Sequence, residues 1–384
     1  MKAFNIYNPV KIHFGSGLIG EAGKIAKKYS DTALIVTGKN SMQKSGTLGK
    51  LVKILKDAGV APIIFDGITP NPTINEIDSA AGIAKEKKAG LIIGLGGGSP
   101  LDSAKAVAVA AKGNIPVWSY LKTPAEEALP VITIVSTSGT GSEVNRYSVM
   151  TNPETGEKPG FGYECMYPKE AIIDPEIMLS MPPYVTAATG FDVFVHAFEA
   201  FTGKAKNAFS SAYCMQIFYL LKDNLIKAYD EPDNIEARGN MALASALAGL
   251  AIDISGVGII HAMEHPVSGN YPNVAHGAGL AALTVESMKY NLEACKRDFM
   301  LTAHHFGIKR AGKSEDEYAV ALIEKIQGIL AALNLNIGLK DLGVEKSKLA
   351  KIAGEAFTTM GFAVQNNPAE AGEKEVLKLL EASY

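Results

Sequence analysis

Cysteine is scarce. The three in 384 residues, Cys165, Cys214 and Cys295, are an odd number, widely spaced, with no CxxC pair. That excludes a disulfide framework and points to reduced thiols in a cytoplasmic protein. Excess charge is also lacking: the formal net charge is −3, so no basic field argues for nucleic acid or an anionic membrane. The opening MKAFNIYNPV has no apolar h-region. No uninterrupted apolar run approaches the ~18 residues of a membrane span. The stretch 241–260 comes closest, but it carries Asp253 and several small residues and reads as a buried helix pair. Repeats, low-complexity tracts and long linkers are absent. What remains is 47% hydrophobic and 20% charged, enough apolar content for sizeable cores. The length suits two domains at roughly 100–200 residues each.

The first half alternates short β-rich runs with helical patterns. Residues 32–37, 61–65, 90–95 and 130–135 read as buried strands, and 46–58 and 73–88 as amphipathic helices between them. Strand and helix at this spacing imply a parallel sheet covered on both faces. After about residue 180 strand-like runs disappear. Helical stretches follow at 184–202, 207–228, 234–254, 315–333 and 369–382. Met181-Pro182-Pro183 is a natural hinge, because each proline disfavours helix in its predecessor. The expected organisation is an α/β domain over 1–181 and an all-helical domain over 182–384.

Two small-residue loops follow strands. Gly94-Leu95-Gly96-Gly97-Gly98-Ser99 precedes a helix whose free N–H groups and positive dipole end suit a pyrophosphate. Ser99 is placed to cap that helix, with Asp102 three residues on. Such a loop comes after the first strand in a standard dinucleotide fingerprint. Here two strand–helix units precede it, so the strand order must differ. The second loop, Ser136-Thr137-Ser138-Gly139-Thr140-Gly141-Ser142-Glu143, offers hydroxyls and N–H groups to ribose or phosphate. The blander readings are a tight turn for the first loop and a flexible surface loop for the second.

Four of the seven histidines fall in the helical half within two windows. Asp192 and His196 are i and i+4, as are His261 and His265, so each pair projects from one helix face. His276 lies beyond. Imidazoles with a carboxylate suit a borderline divalent metal, and spacing alone leaves all five as candidate ligands. Pro266 is expected to end its helix near Glu264 and leave His265 on a turn. His13, His304 and His305 have no such context.

Together these segments resemble the iron-containing (group III) alcohol dehydrogenases. The matches are GGGSPLDSAK (96–105), STSGTGSEV (136–144), IIDPEIMLSMPP (172–183), TGFDVFVHAFEAF (189–201) and HAMEHPVSGNYPNVAHG (261–277). VKIHFGSG (10–17) and PNPTI (70–74) extend them over essentially the whole chain. The resemblance implies a dehydroquinate synthase-like fold with the active site between its domains. It implies an oxidoreductase moving hydride between NAD(P)(H) and a small primary alcohol or aldehyde. It also implies a metal, Fe²⁺ expected and Zn²⁺ also suited, on Asp192, His196, His261 and His276. His265 then lies outside that set, near the nicotinamide, as a proton relay. The His265-to-His276 spacing is about one residue longer than the family pattern, so the loop 267–275 departs from it.

Further implied contacts to the cofactor are Gly38, Lys39, Asn40, Asn71, Gly96, Gly97, Gly98, Ser99, Asp102, Thr137, Ser138, Thr140, Ser142 and Lys158. NAD-preferring relatives commonly carry Asp at the position of Gly38. Its absence, beside Lys39, Asn40 and Ser41, favours NADP(H), unless Gly38 merely serves a tight turn and both cofactors bind. Tyr147, Ile252, Phe362 and Ala363 line a substrate pocket or are ordinary core. The apolar-alternating segment 2–8 suggests strands paired across a homodimer. Glycerol dehydrogenases and dehydroquinate synthases share the fold. The synthase needs a basic cluster, which 189–201 and 261–277 lack. A non-catalytic nucleotide- or metal-binding protein is the reading from a different class.

Overall fold

The computed structural model describes residues 3–384. The chain separates into two compact units, Tyr7–Met181 and Pro182–Tyr384, residues 3–6 grouping with the second. Six parallel strands form the sheet of the first unit: β1 (Lys11–Phe14), β2 (Thr32–Gly38), β3 (Ala61–Ile68), β4 (Leu91–Gly96), β5 (Val131–Val135) and β8 (Glu170–Ile173), in the order β1-β8-β5-β4-β2-β3. A small antiparallel pair, β6 (Ser148–Val149) and β7 (Gly160–Phe161), stands apart. The helices of this unit are α1 (Ala22–Lys27), α2 (Ser41–Lys44), α3 (Thr47–Asp57), α4 (Ile74–Glu86), α5 (Gly98–Lys112) and α6 (Pro175–Met178).

Strand alternation sorts the core onto two faces. Leu34, Val36 and Ile92 point to the side where α4 and α5 bring Ile77, Ala80, Ala104 and Val107. Ala33, Ile35, Leu91 and Ile93 point to the other, against Ile25 of α1 and Leu48, Leu51 and Leu55 of α3. Cover on both faces is why these strands read as continuous apolar runs. Thr73 opens α4 with a capping box to Glu76. Periodicity passes over β1 and β8, because four residues are too few to establish a period.

The strand order has a direct consequence. From β2 the chain builds outward to β3, then returns to the other side of β2 through β4, β5 and β8. The order reverses between β2 and β4, where Thr37 pairs with Leu95. Gly38 and Gly96 therefore follow as neighbours at the carboxyl edge, the location where open α/β sheets bind ligands.

The second unit is helical: α7 (Pro183–Thr202), α8 (Ala208–Asp230), α9 (Ile235–Ser255), α10 (Ile259–Asn270), α11 (His276–Asn291), α12 (Lys296–His305), α13 (Glu315–Ala332), α14 (Leu349–Asn366) and α15 (Glu373–Ala382). Pro183 is the first residue of α7, where its missing N–H costs nothing. The last sequence window starts four residues early, since Gly372 caps α15. α9 and α10 are the buried helix pair the sequence suggests, bent by 105°. The bend follows Gly256, whose φ of 69° suits a residue without a side chain. Among the described residues no single helix is long and apolar enough to cross a membrane.

Pro266 does not end α10, which runs on to Asn270. A proline inside a helix costs ~3 kcal/mol, through the lost backbone hydrogen bond and the clash of its ring with the preceding turn. Here residues 259–269 are all buried, so packing around the helix outweighs that cost. Ser268 Oγ donates to the Glu264 carbonyl at 3.3 Å, and Asn270 Nδ2 to the Pro266 carbonyl at 2.8 Å. His265 therefore stands on the helix, not on a turn.

Candidate functional site

α7 is apolar around most of its surface, with one polar stripe: Asp192, His196 and Glu199, at i, i+4 and i+7. α10 presents His261, Glu264 and His265, and α11 begins with His276. A β-carbon on Gly277 would run into the Ala188 carbonyl. That glycine lets the first turn of α11 lie directly on α7, which brings His276 to Asp192.

The donor atoms of Asp192, His261 and His276 lie within 4.8 Å of one another. Asp192 Oδ1 is 3.5 Å from His261 Nε2 and 4.0 Å from His276 Nε2. His196 Nδ1 is 3.2 Å from the same oxygen, and its ring stacks on His261 at 4.5 Å between centroids. His265 stands 5.6 Å from the His276 ring and 6.3 Å from His261. With Glu264 and His276 it makes a second cluster of donors within 4.8 Å.

Two carboxylates orient the imidazoles. His261 Nδ1 is 2.6 Å from Glu199 Oε2, and His276 Nδ1 bonds Glu264 Oε2. A carboxylate only accepts, so each Nδ1 carries the proton and each Nε2 turns toward Asp192. Burial opposes charge on Asp192, yet the His196, His261 and His276 imidazoles hold its carboxyl well below the usual range. Burial likewise opposes charge on His261, but Glu199 and Asp192 push it up to about 9. Asp192 Oδ1 and His261 Nε2 are buried without a hydrogen-bond partner. Each such atom costs ~1–3 kcal/mol, a cost that a shared cation removes. The donor set fits a divalent metal.

Glu199 and Glu264 escaped the sequence reading. Both lie in the quoted segments. Glu199 was legible as the next residue on the Asp192–His196 stripe; Glu264 was masked by the expected helix end.

The loops of the first unit differ from expectation in detail. α5 starts at Gly98 with Gly97 at the cap position and no side-chain cap, so Ser99 is inside the helix. Neither Gly97 nor Gly98 has positive φ; Gly96 does, at 142°. A β-carbon on Gly97 would lie 3.1 Å from Thr137 Oγ1 and Cγ2, and one on Gly98 would lie 2.6 Å from Thr140 Cγ2. The two glycines therefore make room for the second loop.

That loop is mostly buried. Ser138 Oγ donates to Met178 Sδ at 3.3 Å. Ser142 Oγ donates to Asp102, which also accepts from the Val149 N–H at 2.9 Å. Asp102 and Ser142 thus hold protein to protein. Lys105, fully buried, ties them further, with Nζ 2.8 Å from Ser142 Oγ and 3.3 Å from Asn145 Oδ1. Buried Glu143 has no hydrogen-bond partner on either carboxylate oxygen. Burial pushes its carboxyl up to about 7 against the pull of Lys105.

Asn71, at φ 56°, accepts from Lys158 Nζ at 2.8 Å, so these two meet each other. Lys39, Asn40 and Ser41 are exposed beyond Gly38. Of the pocket candidates, Ala363 is fully buried in the helical core, Ile252 is buried and Phe362 is exposed. Tyr147 is half-buried beside Arg146.

Known proteins agree over the whole length. Residues 9–175 match the family model for iron-containing alcohol dehydrogenase, and residues 186–384 match the C-terminal model of the Fe-containing alcohol dehydrogenase family. The long-chain primary alcohol dehydrogenase AdhA of Thermoanaerobacter ethanolicus is 33% identical, with 100% of this chain and 98% of that protein covered. The NADH-dependent butanol dehydrogenase A of Clostridium acetobutylicum is 31% identical, with 100% of both covered. The solved structure of the archaeal halo-thermophilic Red Sea brine pool alcohol dehydrogenase ADH/D1 superposes with a TM-score of 0.96 at 34% identity, covering 100% of both chains. Both units of this chain therefore belong to the iron-containing alcohol dehydrogenases, a family of oxidoreductases.

Proposed function

We propose that this enzyme interconverts a small primary alcohol and its aldehyde with a nicotinamide dinucleotide, using a divalent metal held by Asp192, His196, His261 and His276. The observation that carries the reading is the convergence on Asp192 Oδ1 of buried His196 and His261 and half-buried His276, the last two aimed there by carboxylates. The metal, Fe²⁺ with Zn²⁺ also suited, would supply Lewis acidity toward a substrate oxygen, and the nicotinamide would supply the redox change. Asp192 stays charged, and with each Nδ1 held by a glutamate, Nε2 of His261 and of His276 is the nitrogen left to face a cation, which would displace the proton His261 otherwise carries there. His265, one helical turn beyond His261, takes up the alcohol proton and passes it toward solvent. Gly96, Gly97, Gly98 and Ser99 at the start of α5, with Thr137, Ser138 and Thr140 alongside, receive the pyrophosphate and ribose. Asn71 and Lys158 hold a further part of the cofactor, while Asp102 and Ser142 shape the crevice through their mutual bond.

Gly38 is assigned to the adenosine ribose. A β-carbon there would lie 3.5 Å from the Ile68 carbonyl, an ordinary contact, so no tight turn demands glycine. Without a carboxylate at this position, Lys39 and Asn40 admit a 2′-phosphate, and NADP(H) is the favoured cofactor. This reading departs from the NADH dependence named for the Clostridium acetobutylicum relative. The enzyme is further proposed to be a cytoplasmic homodimer. β1 ends the sheet, with Ile12 and Phe14 of that strand exposed, and Phe4, Ile6 and Tyr7 of the preceding segment are exposed as well. Residues 3–8 adopt no strand in the single chain, and Lys2 lies outside the described residues. A dimer mass by light scattering tests this assembly.

The activity test is absorbance at 340 nm with butyraldehyde or butanol, each cofactor, and added Fe²⁺ or Zn²⁺. Turnover that requires the metal supports the reading; cofactor binding without turnover under every combination overturns it in favour of a non-catalytic binding protein.

A further inference from the structure

The two carboxylates behind the histidines share a second feature. Glu199 packs against Gly258, where a β-carbon would stand 3.0 Å from Glu199 Oε1. Glu264 packs against Gly279, where a β-carbon would stand 2.9 Å from Glu264 Cγ and 3.0 Å from Oε1. Neither glycine has a positive φ: Gly258 is extended at φ −126°, and Gly279 lies within α11. Both backbones would accept alanine, so the missing side chain serves the carboxylate and not the chain conformation. Glu199 is held from a second side, since Oε1 accepts the Ile260 N–H at 2.6 Å while Oε2 takes His261 Nδ1. Both glutamates are fully or nearly fully buried. A buried carboxylate in an apolar helical core is retained at substantial cost unless its bonds serve a purpose.

We propose that Glu199 and Glu264, each seated in a glycine notch, are positioning residues for the metal. They fix His261 and His276 in the tautomer that presents Nε2, raise the donor strength of each ring and lock its rotation. This rests on reading Asp192, His196, His261 and His276 as the ligands. Outer partners of this type are typically worth about ten- to a hundredfold in metal affinity.

The test is equilibrium competition for Zn²⁺ between the full-length protein and a chelator, alongside melting of the metal-free form. Glu199→Ala and Glu264→Ala should each weaken Zn²⁺ binding about ten- to a hundredfold. The glutamine variants keep an acceptor oxygen at the same reach and should recover most of that loss. Gly258→Ala and Gly279→Ala should weaken binding severalfold with metal-free melting preserved, Gly279→Ala even gaining helix propensity. A merely structural role predicts the opposite pattern: lower melting temperatures, no rescue by glutamine, and unchanged Zn²⁺ affinity in whatever folds. In the Co²⁺ form, two exchangeable Nδ1–H proton resonances should be protected, one of them lost in each alanine variant.

Wild-type Zn²⁺ affinity in the folded glutamate-to-alanine variants and in Gly258→Ala and Gly279→Ala, while Asp192→Ala loses the metal, overturns this proposal alone. Full Zn²⁺ affinity in Asp192→Ala overturns the ligand reading beneath it. If the glutamate-to-alanine variants do not fold, the Gly258→Ala and Gly279→Ala variants decide.

Discussion

Thr140 stands so close to Gly98 that a β-carbon on the glycine would come within 2.6 Å of the threonine Cγ2. Gly98→Ala should therefore lower cofactor affinity, by about tenfold or more, but two causes compete: a blocked pyrophosphate and a displaced second loop. The double variant Gly98→Ala/Thr140→Ala removes the clash within the protein. Fluorescence titration with the nicotinamide cofactor separates the causes. Affinity that stays low in the double variant supports phosphate contact; recovery would assign the glycine to Thr140.

Any of Asp192→Ala, His196→Ala, His261→Ala and His276→Ala should lower metal content sharply and abolish turnover. His265→Ala should keep the metal and lower kcat about a hundredfold or more, the usual size of a general acid–base contribution. Metal analysis of the purified variants checks this. A His265 variant that loses metal while His276→Ala keeps it would exchange the two roles.

Glu143 gives a pH prediction. Its carboxyl is raised by burial from 4.5 to about 7 in the folded chain. The contribution of its neutral form is fully present below about pH 4.5 and is lost as pH rises through about 7. A shift of that size corresponds to about 3 kcal/mol. Glu143→Gln should remove this loss, so the variant should gain stability over wild type between pH 5 and 8 in urea titrations. A constant stability difference across that range would assign no titration to Glu143.

Cofactor choice is tested by Gly38→Asp. One charged contact to a phosphate is worth ~1.5–3 kcal/mol, about ten- to a hundredfold in preference. Wild type should have the higher kcat/KM with NADPH, and the variant should shift toward NADH by a factor in that range. Wild-type preference for NADH would leave Gly38 without a role in discrimination.

The fold class was legible because its signals are long or repeated. β2, β4 and β5 are apolar on both faces, and α4 announces itself with Thr73 and Glu76. β1 and β8 were not legible, being too short to carry a period. In the helical unit the pairing of Asp192 with His196 follows from i, i+4 spacing, and the structure brings His261 and His276 to the same carboxylate. Sequence alone could not supply the Glu199–His261 bond, because it joins residues 62 positions apart. Nor could it foresee Pro266 inside a helix, since local chemistry says stop and only the surrounding packing says continue. Ser99 failed as a cap for a similar reason: the chain enters α5 through Gly97, two residues earlier.

The seat of α11 on α7 has a consequence for anyone reading a mutational scan. Gly277 offers no side chain to a metal, cofactor or alcohol, yet any replacement would collide with the Ala188 carbonyl and lift His276 away from Asp192. Scored on activity, Gly277 would rank with the catalytic positions and be mistaken for one. Scored on stability it would register as well, by about 1–3 kcal/mol, because the collision is with backbone and is relieved only by moving α11 off α7.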